Sequence, residues 1–265
     1  MTQAVQTAPR YTIAVCKGSA LIEETKVLLR AWQPTESLGD FRNRVIREDL
    51  LGRTTAYRAS DIVRRVFARR LLAPDLQPAI LLKRLLAGKR SARLVSDLLL
   101  LYAARQDDVL RDVIVDVYWP AVRDGRVILT PRQVVAFLRQ AAAEGKMARR
   151  WSEQVRLKVA RGLLGALVGF GLMKQAGRTR ETVYFHPADG AVVYLAHELH
   201  FSGLTDAAVA AHRDWALFGF RPSDVVAALD RLSGERWWLA QAAGSVVRIT
   251  WKYASLQEVI DALAR

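Results

Sequence analysis

Between residues 11 and 119, apolar residues keep returning at helical spacing, and each run is cut by a capping residue, a proline or a glycine. Ile62, Val63, Val66, Phe67 and Leu71 show the pattern: intervals of one, three and four place them on a single helix stripe. A chain written this way buries its apolar surface by packing helix on helix, so residues 1–125 are expected to form a helical bundle. Ser19 is expected to cap a helix with Glu23 and Glu24 in its first turn, where the helix dipole favours acids. Ser37 with Asp40 resembles a capping box for the next helix, and Gly52 is its stop. Ser60 is expected to cap a third helix, ended by Pro74. A short helix through Ile80, Leu81 and Leu85 reaches a turn at Gly88, Lys89 and Arg90. Ser91 opens a very apolar helix, and a helix over residues 107–119 is expected to stop at Pro120.

The pattern changes at Gly125. GRVIL reads as a turn and a short apolar strand. Thr130 and Pro131 then start a helix, as N-cap and first helical residue, with Val134, Val135 and Leu138 facing inward. After the polar turn EGKMARR, Ser152 caps a longer helix with Val155, Val159, Leu163 and Leu167 toward the core. Gly169 and Gly171 end it. Residues 170–174 and 182–186 are expected to pair across QAGRTRE as a hairpin. Strand, helix, turn, helix and hairpin in this order give residues 126–186 the layout of a winged helix-turn-helix. Residues 187–265 read as a smaller α/β, winged-helix-like unit: helices near Ala191–Phe201 and Ala207–Trp215, a third from Pro222, a hairpin around Ala243 and Gly244, and a final helix capped by Ser255. The fold class is therefore mostly α.

Charge is unevenly placed along this frame. Residues 1–180 carry 33 Lys and Arg against 16 Asp and Glu, and residues 181–265 carry 7 against 10. A basic body of this kind points to a polyanion, and arginine suits phosphate because its planar fork can hold two oxygens. On a helical wheel Lys158 and Arg161 fall opposite the apolar stripe of the 152–168 helix, with Arg156 at its edge. Arg149 and Arg150 precede that helix, and Lys174, Arg178 and Arg180 lie in or beside the hairpin. Arg58, Arg64, Arg65 and Arg69 form a second basic ridge on the helix of the 62–71 stripe, equally readable as a solvated face. These twelve residues are the candidate contacts to double-stranded DNA, with the 152–168 helix in the major groove.

Other chemistries find little support. Phosphate-loop, dinucleotide, nucleophile-elbow and zinc-cysteine signatures are absent, so neither catalysis nor a cofactor is expected. His197 and His200 fall on one helix face but lack the HExxH spacing, and all four histidines are read as partly exposed packing and hydrogen-bonding groups. Asp107, Asp108, Asp112 and Asp116 lie among Arg105 and Arg111 and read as a solvated face rather than a metal site. The tryptophans at 215, 237, 238 and 251 read as core or as a protein interface. Cys16 is the sole cysteine, which excludes an internal disulfide. The longest apolar stretch, GLLGALVGFGLM, has about 12 residues against roughly 20 for a membrane span. With residues 1–10 lacking the apolar core of a secretion signal, a cytoplasmic protein is expected.

The chain resembles the BrxA family of bacteriophage-exclusion (BREX) defence systems. The resemblance rests on Tyr11 followed by Lys17, Gly18, Ser19, Leu21, Glu23 and Glu24. It continues through Arg53, Thr54 and Thr55 into Ile62 and Arg69, Arg70 and Leu71, and then Trp151, Ser152, Lys158, Leu163, Leu164, Gly171 and Leu172. It implies a helical DNA-binding protein with helix-turn-helix character, acting beside a methyltransferase, an ATPase and other defence proteins. Two alternatives stay open: a scaffold subunit whose basic face meets an acidic protein, and an RNA-binding helical factor.

Overall fold

The computed structural model describes residues 11–265 apart from 17, 19, 53, 89–91, 148, 244 and 245. The expected Ser19 and Ser91 caps, residues 1–10, the Lys89–Arg90 turn, Arg53 and the Gly244 turn lie outside the described residues. The described chain is mostly helical, with two two-stranded antiparallel sheets. It divides into two compact units. One comprises residues up to Pro74 with Tyr102–Phe185, and the other comprises Asp75–Leu101 with His186–Arg265. The helix Ala92–Gln106 thus gives its first residues to the second unit and its last ones to the first.

In the first unit, Leu28, Leu29, Trp32, Phe41, Val63, Phe67 and Leu71 make a dry core. The Phe67 ring meets Trp32 edge-on at 6.4 Å and Phe41 at 5.6 Å. Arg44 grips Glu36 through two bonds of 2.8 and 2.7 Å and also donates to the Ala31 carbonyl at 3.0 Å, tying the end of the helix Ile22–Ala31 to the helix Leu38–Arg47. The first of these helices has Leu21 at its cap position, in a left-handed conformation and without a side-chain cap.

The second helix ends at Arg47, short of the expected stop at Gly52, and the helix expected near Ala207–Trp215 is an α-helix over Asp206–Ala210 followed by a 3-10 helix over Arg213–Phe218. Two further boundaries differ for a local reason. The third helix starts at Ala56, because the Thr55 hydroxyl accepts from the Arg58 N–H at 3.2 Å. Ser60, expected as the cap, lies inside the helix: Ala56 to Ala59 are compatible with helix, so the upstream threonine sets the start. The second difference is at Pro120. The helical run begins at Asp108 and passes through the proline to Arg123. Its turn Ile114–Tyr118 is widened to a π-helix, and the Trp119 N–H reaches back five residues to the Ile114 carbonyl. Pro120 then occupies the second position of the resumed α-helix, where a missing N–H costs little. A second widened turn, Ile62–Phe67, interrupts the run from Ala56 to Leu71.

The segment that carries the candidate site follows. The helix Pro131–Ala143 opens with Thr130, whose N–H donates to the Gln133 side chain at 2.8 Å. The helix Glu153–Gly169 packs against it, and Val159, Leu163 and Leu167 of the one and Val134, Leu138 and Ala141 of the other are buried. Strands Met173–Ala176 and Thr179–Thr182 form the hairpin. It is tighter than expected: Ala176 faces Thr179, so only Gly177 and Arg178 make the turn, and Gly177 takes a positive φ of 56°. The expected strand over 126–129 is reduced to a single bridge between Ile128 and Glu181, flanked by the Thr182 N–H donating to Val127 at 2.7 Å. Tyr118 donates to the Val183 carbonyl, and Tyr11 donates to Asp112 at 2.6 Å.

The second unit holds the helices Gln77–Ala87, Asp189–Phe201, Asp206–Ala210, Pro222–Arg231 and Leu256–Ala264 and the hairpin Trp238–Ala243 with Val246–Trp251. Its buried Asp97 accepts from the Ala188 N–H at 2.8 Å and from Arg93 at 2.9 Å. A Cβ on Gly88 would stand 2.3 Å from the Ala264 carbonyl oxygen, so the backbone there admits only glycine without a shift. Trp215 and Trp238 are buried and donate to the Val209 and Leu229 carbonyls at 2.7 and 2.8 Å. Of the two alternatives for these tryptophans, Trp215 and Trp238 are core.

Candidate nucleic-acid interface

Ser152 accepts a hydrogen bond from the Val155 N–H at 3.3 Å and fixes where the helix Glu153–Gly169 begins. That start decides which way its cations point. Val159, Leu163 and Leu167 go into the core, and Lys158 and Arg161 remain exposed on the other side. Leu164 is fully buried, so the solvent-facing strip of this helix narrows past Arg161.

Among the described residues, no hydrogen bond or ion pair engages the side chains of Arg149, Arg150, Lys158, Arg161 and Arg178, and all five are exposed. The other three candidate cations of residues 126–186 are held. Arg156 is half-buried and pairs with Glu153 at 3.1 Å, and Lys174 pairs across the hairpin with Glu181 at 3.1 Å. Arg180 donates to the Arg161 carbonyl at 3.2 Å and to Gln175 at 3.3 Å.

Two clefts gather five of these eight groups, and Arg149, Lys158 and Lys174 line neither. One, of about 310 Å³, lies between the helix, the hairpin and the start of the helix Pro131–Ala143, and is lined by Arg161, Arg178, Arg180 and Thr130. The other, of about 530 Å³, lies at the corner between the two helices and is lined by Arg139, Arg150, Arg156 and Met147. Arg139 is absent from the sequence-based set. It faces Glu153 at 2.7 Å, a partner fourteen residues away that no local spacing announces.

The second ridge is divided differently. Arg64 is exposed, Arg65 pairs with Asp61 at 2.9 Å, and Arg69 donates to the Gln106 carbonyl at 3.1 Å. Arg58 is partly exposed. None of the four lines either cleft. Beside them, Arg70 holds the Gly18 and Ala20 carbonyls at 3.0 Å each, and burial pushes its pKa down to about 10. Burial pushes the neighbouring Asp107 up to about 6, against the nearby Arg69 and Arg70.

Among the described residues, no group of three His, Cys, Asp or Glu side chains is placed to hold a metal ion. His197 is fully buried among Trp238, Trp251 and Tyr253, with Nδ1 2.8 Å from the Val193 carbonyl. Burial pushes its pKa down to about 4. His200 stacks on Trp251 with ring centres 4.3 Å apart.

Fold and site together describe a mostly helical protein that displays, on a segment of two helices and a hairpin, arginines and a lysine with no hydrogen bond or ion pair among the described residues. The BrxA family model matches residues 9–194, and the chain belongs to the BrxA family. Membership implies a role in BREX phage defence. A crystal structure of an uncharacterized protein from Magnetospirillum magneticum shares the fold, with a TM-score of 0.59 at 18% identity, over 73% of this chain and 95% of that one. No curated protein matches the chain. Among the described residues, no helix is long and apolar enough to cross a membrane.

Proposed function

We propose that the protein is a non-enzymatic, double-stranded-DNA-binding component of a BREX-type defence complex, and that residues 126–186 work as a winged helix-turn-helix. The observation that carries this reading is the set of exposed cations at Arg149, Arg150, Lys158, Arg161 and Arg178 on one segment, which have no hydrogen bond or ion pair among the described residues. The helix Glu153–Gly169 enters the major groove with Lys158 and Arg161 toward the bases or their flanking phosphates. The hairpin tip places Arg178 on the backbone beside it, and the Ile128–Glu181 bridge stands where a winged helix has its third strand. The methyltransferase and ATPase of the same system are the protein partners.

Gel shifts with duplex DNA, single-stranded DNA and double-stranded RNA of equal length, repeated across a salt series, test the proposal. Duplex DNA is expected to bind best. With about six phosphates neutralised, log affinity should fall with log salt at a slope of roughly −5. A slope near zero, or a preference for RNA, defeats the reading. A scaffold role is favoured by one observation: Val127, Ile128 and Tyr184 are 58%, 44% and 79% exposed beside the hairpin. It predicts no duplex binding at any salt concentration.

A further inference from the structure

We infer that the cleft lined by Arg139, Arg150 and Arg156 is a phosphodiester-binding site two of whose arginines are engaged by Glu153, a carboxylate that stands in for the phosphate until nucleic acid displaces it. The inference rests on the DNA-binding reading above and adds a site and its control to it. Glu153 is the first residue of the helix Glu153–Gly169. One of its oxygens accepts from Arg139 at 2.7 Å and the other from Arg156 at 3.1 Å. Two oxygens of one anion thus bridge two guanidinium groups on different helices. The two non-bridging oxygens of a phosphodiester offer the same pair of acceptors on a rigid anion, which suits forked donors equally well.

The neighbourhood supports exchange of one anion for the other. Arg150 lines the same cleft and has no acid partner among the described residues, so three guanidinium groups line the cleft and Glu153 engages only two of them. The space of about 530 Å³ beside Ala142, Ala143 and Met147 leaves room for a backbone phosphate and its sugar. The Glu153 and Arg139 side chains are 54% and 60% exposed, and exposed ion pairs of this kind contribute little and are readily broken. The cleft also adjoins the start of the helix whose exposed face carries Lys158 and Arg161.

The test measures duplex binding by fluorescence anisotropy across a potassium chloride series for the full-length protein and three variants. Glu153→Gln frees both arginines. Glu23→Gln is its control: Glu23 is also in the first turn of a helix and pairs with a cation, Lys26, at 2.9 Å, but lies away from the cleft. The third variant combines Glu153→Gln with Arg139→Ala. Glu153→Gln is expected to tighten binding about 5- to 10-fold and to steepen the salt slope by about 1, as one more neutralised phosphate requires. Glu23→Gln should stay within about 2-fold of wild type, the effect of one unit of net charge at a distance. Adding Arg139→Ala should cancel the gain. A merely structural role for Glu153 predicts a lower melting temperature with no gain in affinity. If Glu153→Gln and Glu23→Gln behave alike while wild type binds with a steep slope, the inference falls and the DNA-binding reading stands. If Arg139→Ala leaves the gain intact, the inference also falls. If wild type binds no duplex, the underlying reading fails and takes this one with it.

Discussion

Arg180 donates a hydrogen bond to the main-chain carbonyl of Arg161, 3.2 Å away, and so ties the hairpin to the helix Glu153–Gly169. A charged side chain on the hairpin is thereby used to position another on the helix. The two neighbouring arginines consequently divide their tasks. Arg178→Ala is expected to weaken duplex binding several-fold and leave the melting temperature unchanged, because an exposed side chain without partners contributes little to stability. Arg180→Ala should lower both, with a stability loss of about 1 kcal/mol for the missing charge-assisted bond. Thermal melts and binding curves on the two variants separate these outcomes.

Replacing Arg156, Lys158 and Arg161 together by alanine removes three cations of this helix. The salt slope for duplex DNA should become shallower by about 2 to 3, at roughly 0.9 for each phosphate left without its cation. Circular dichroism should remain helical, since alanine is the strongest helix former. An unchanged slope would relocate the binding surface away from this helix.

Buried His197 makes acid stability predictable. Its folded pKa of about 4 lies below the ordinary value of 6.5, so the unfolded chain takes up a proton first as pH falls. Stability associated with this group is fully present above about pH 6.5 and drains away as pH drops toward about 4, by up to about 3 kcal/mol. In His197→Phe the aromatic packing against Trp238 and Trp251 is retained and the titration is removed. Urea midpoints measured through this range should therefore slope less steeply with pH in the variant than in wild type. Equal slopes would show that the imidazole is not what titrates.

Gly88→Ala tests the close approach to the C-terminal helix. The added methyl meets the Ala264 backbone, which cannot swing aside as a flexible side chain does. A loss of about 1–3 kcal/mol is expected, the usual cost of overpacking. A melting temperature equal to wild type would mean that the helix Leu256–Ala264 relaxes away from that approach.

Local chemistry makes much of this architecture readable from sequence. Ser37, Ser152 and Ser255 cap the helices that their positions predict, each by accepting from a main-chain N–H three residues on. Such bonds are short in sequence and therefore visible there. Pro120 misleads because the widened turn before it departs from the 3.6-residue period on which the expectation rests. Ser60 misleads because Thr55 offers the same chemistry five residues earlier. In the candidate site, the outward direction of Lys158 and Arg161 follows from the apolar stripe and is legible. Which cations are held is not. The pairs Arg139 with Glu153 and Lys174 with Glu181, and the bond from Arg180 to Arg161, depend on how helices and strands meet. The complete burial of His197 likewise comes from rings that arrive with the hairpin of the second unit.

The brevity of the first hairpin bears on how its arginine engages a ligand. Pairing runs up to Ala176 and Thr179, so only Gly177 and Arg178 escape the ladder. A long loop would have to surrender backbone freedom, at about 1–2 kcal/mol for each residue immobilised, before its cation met an anion. Here that ordering is complete before any encounter, and only the side-chain torsions of Arg178 remain to be fixed.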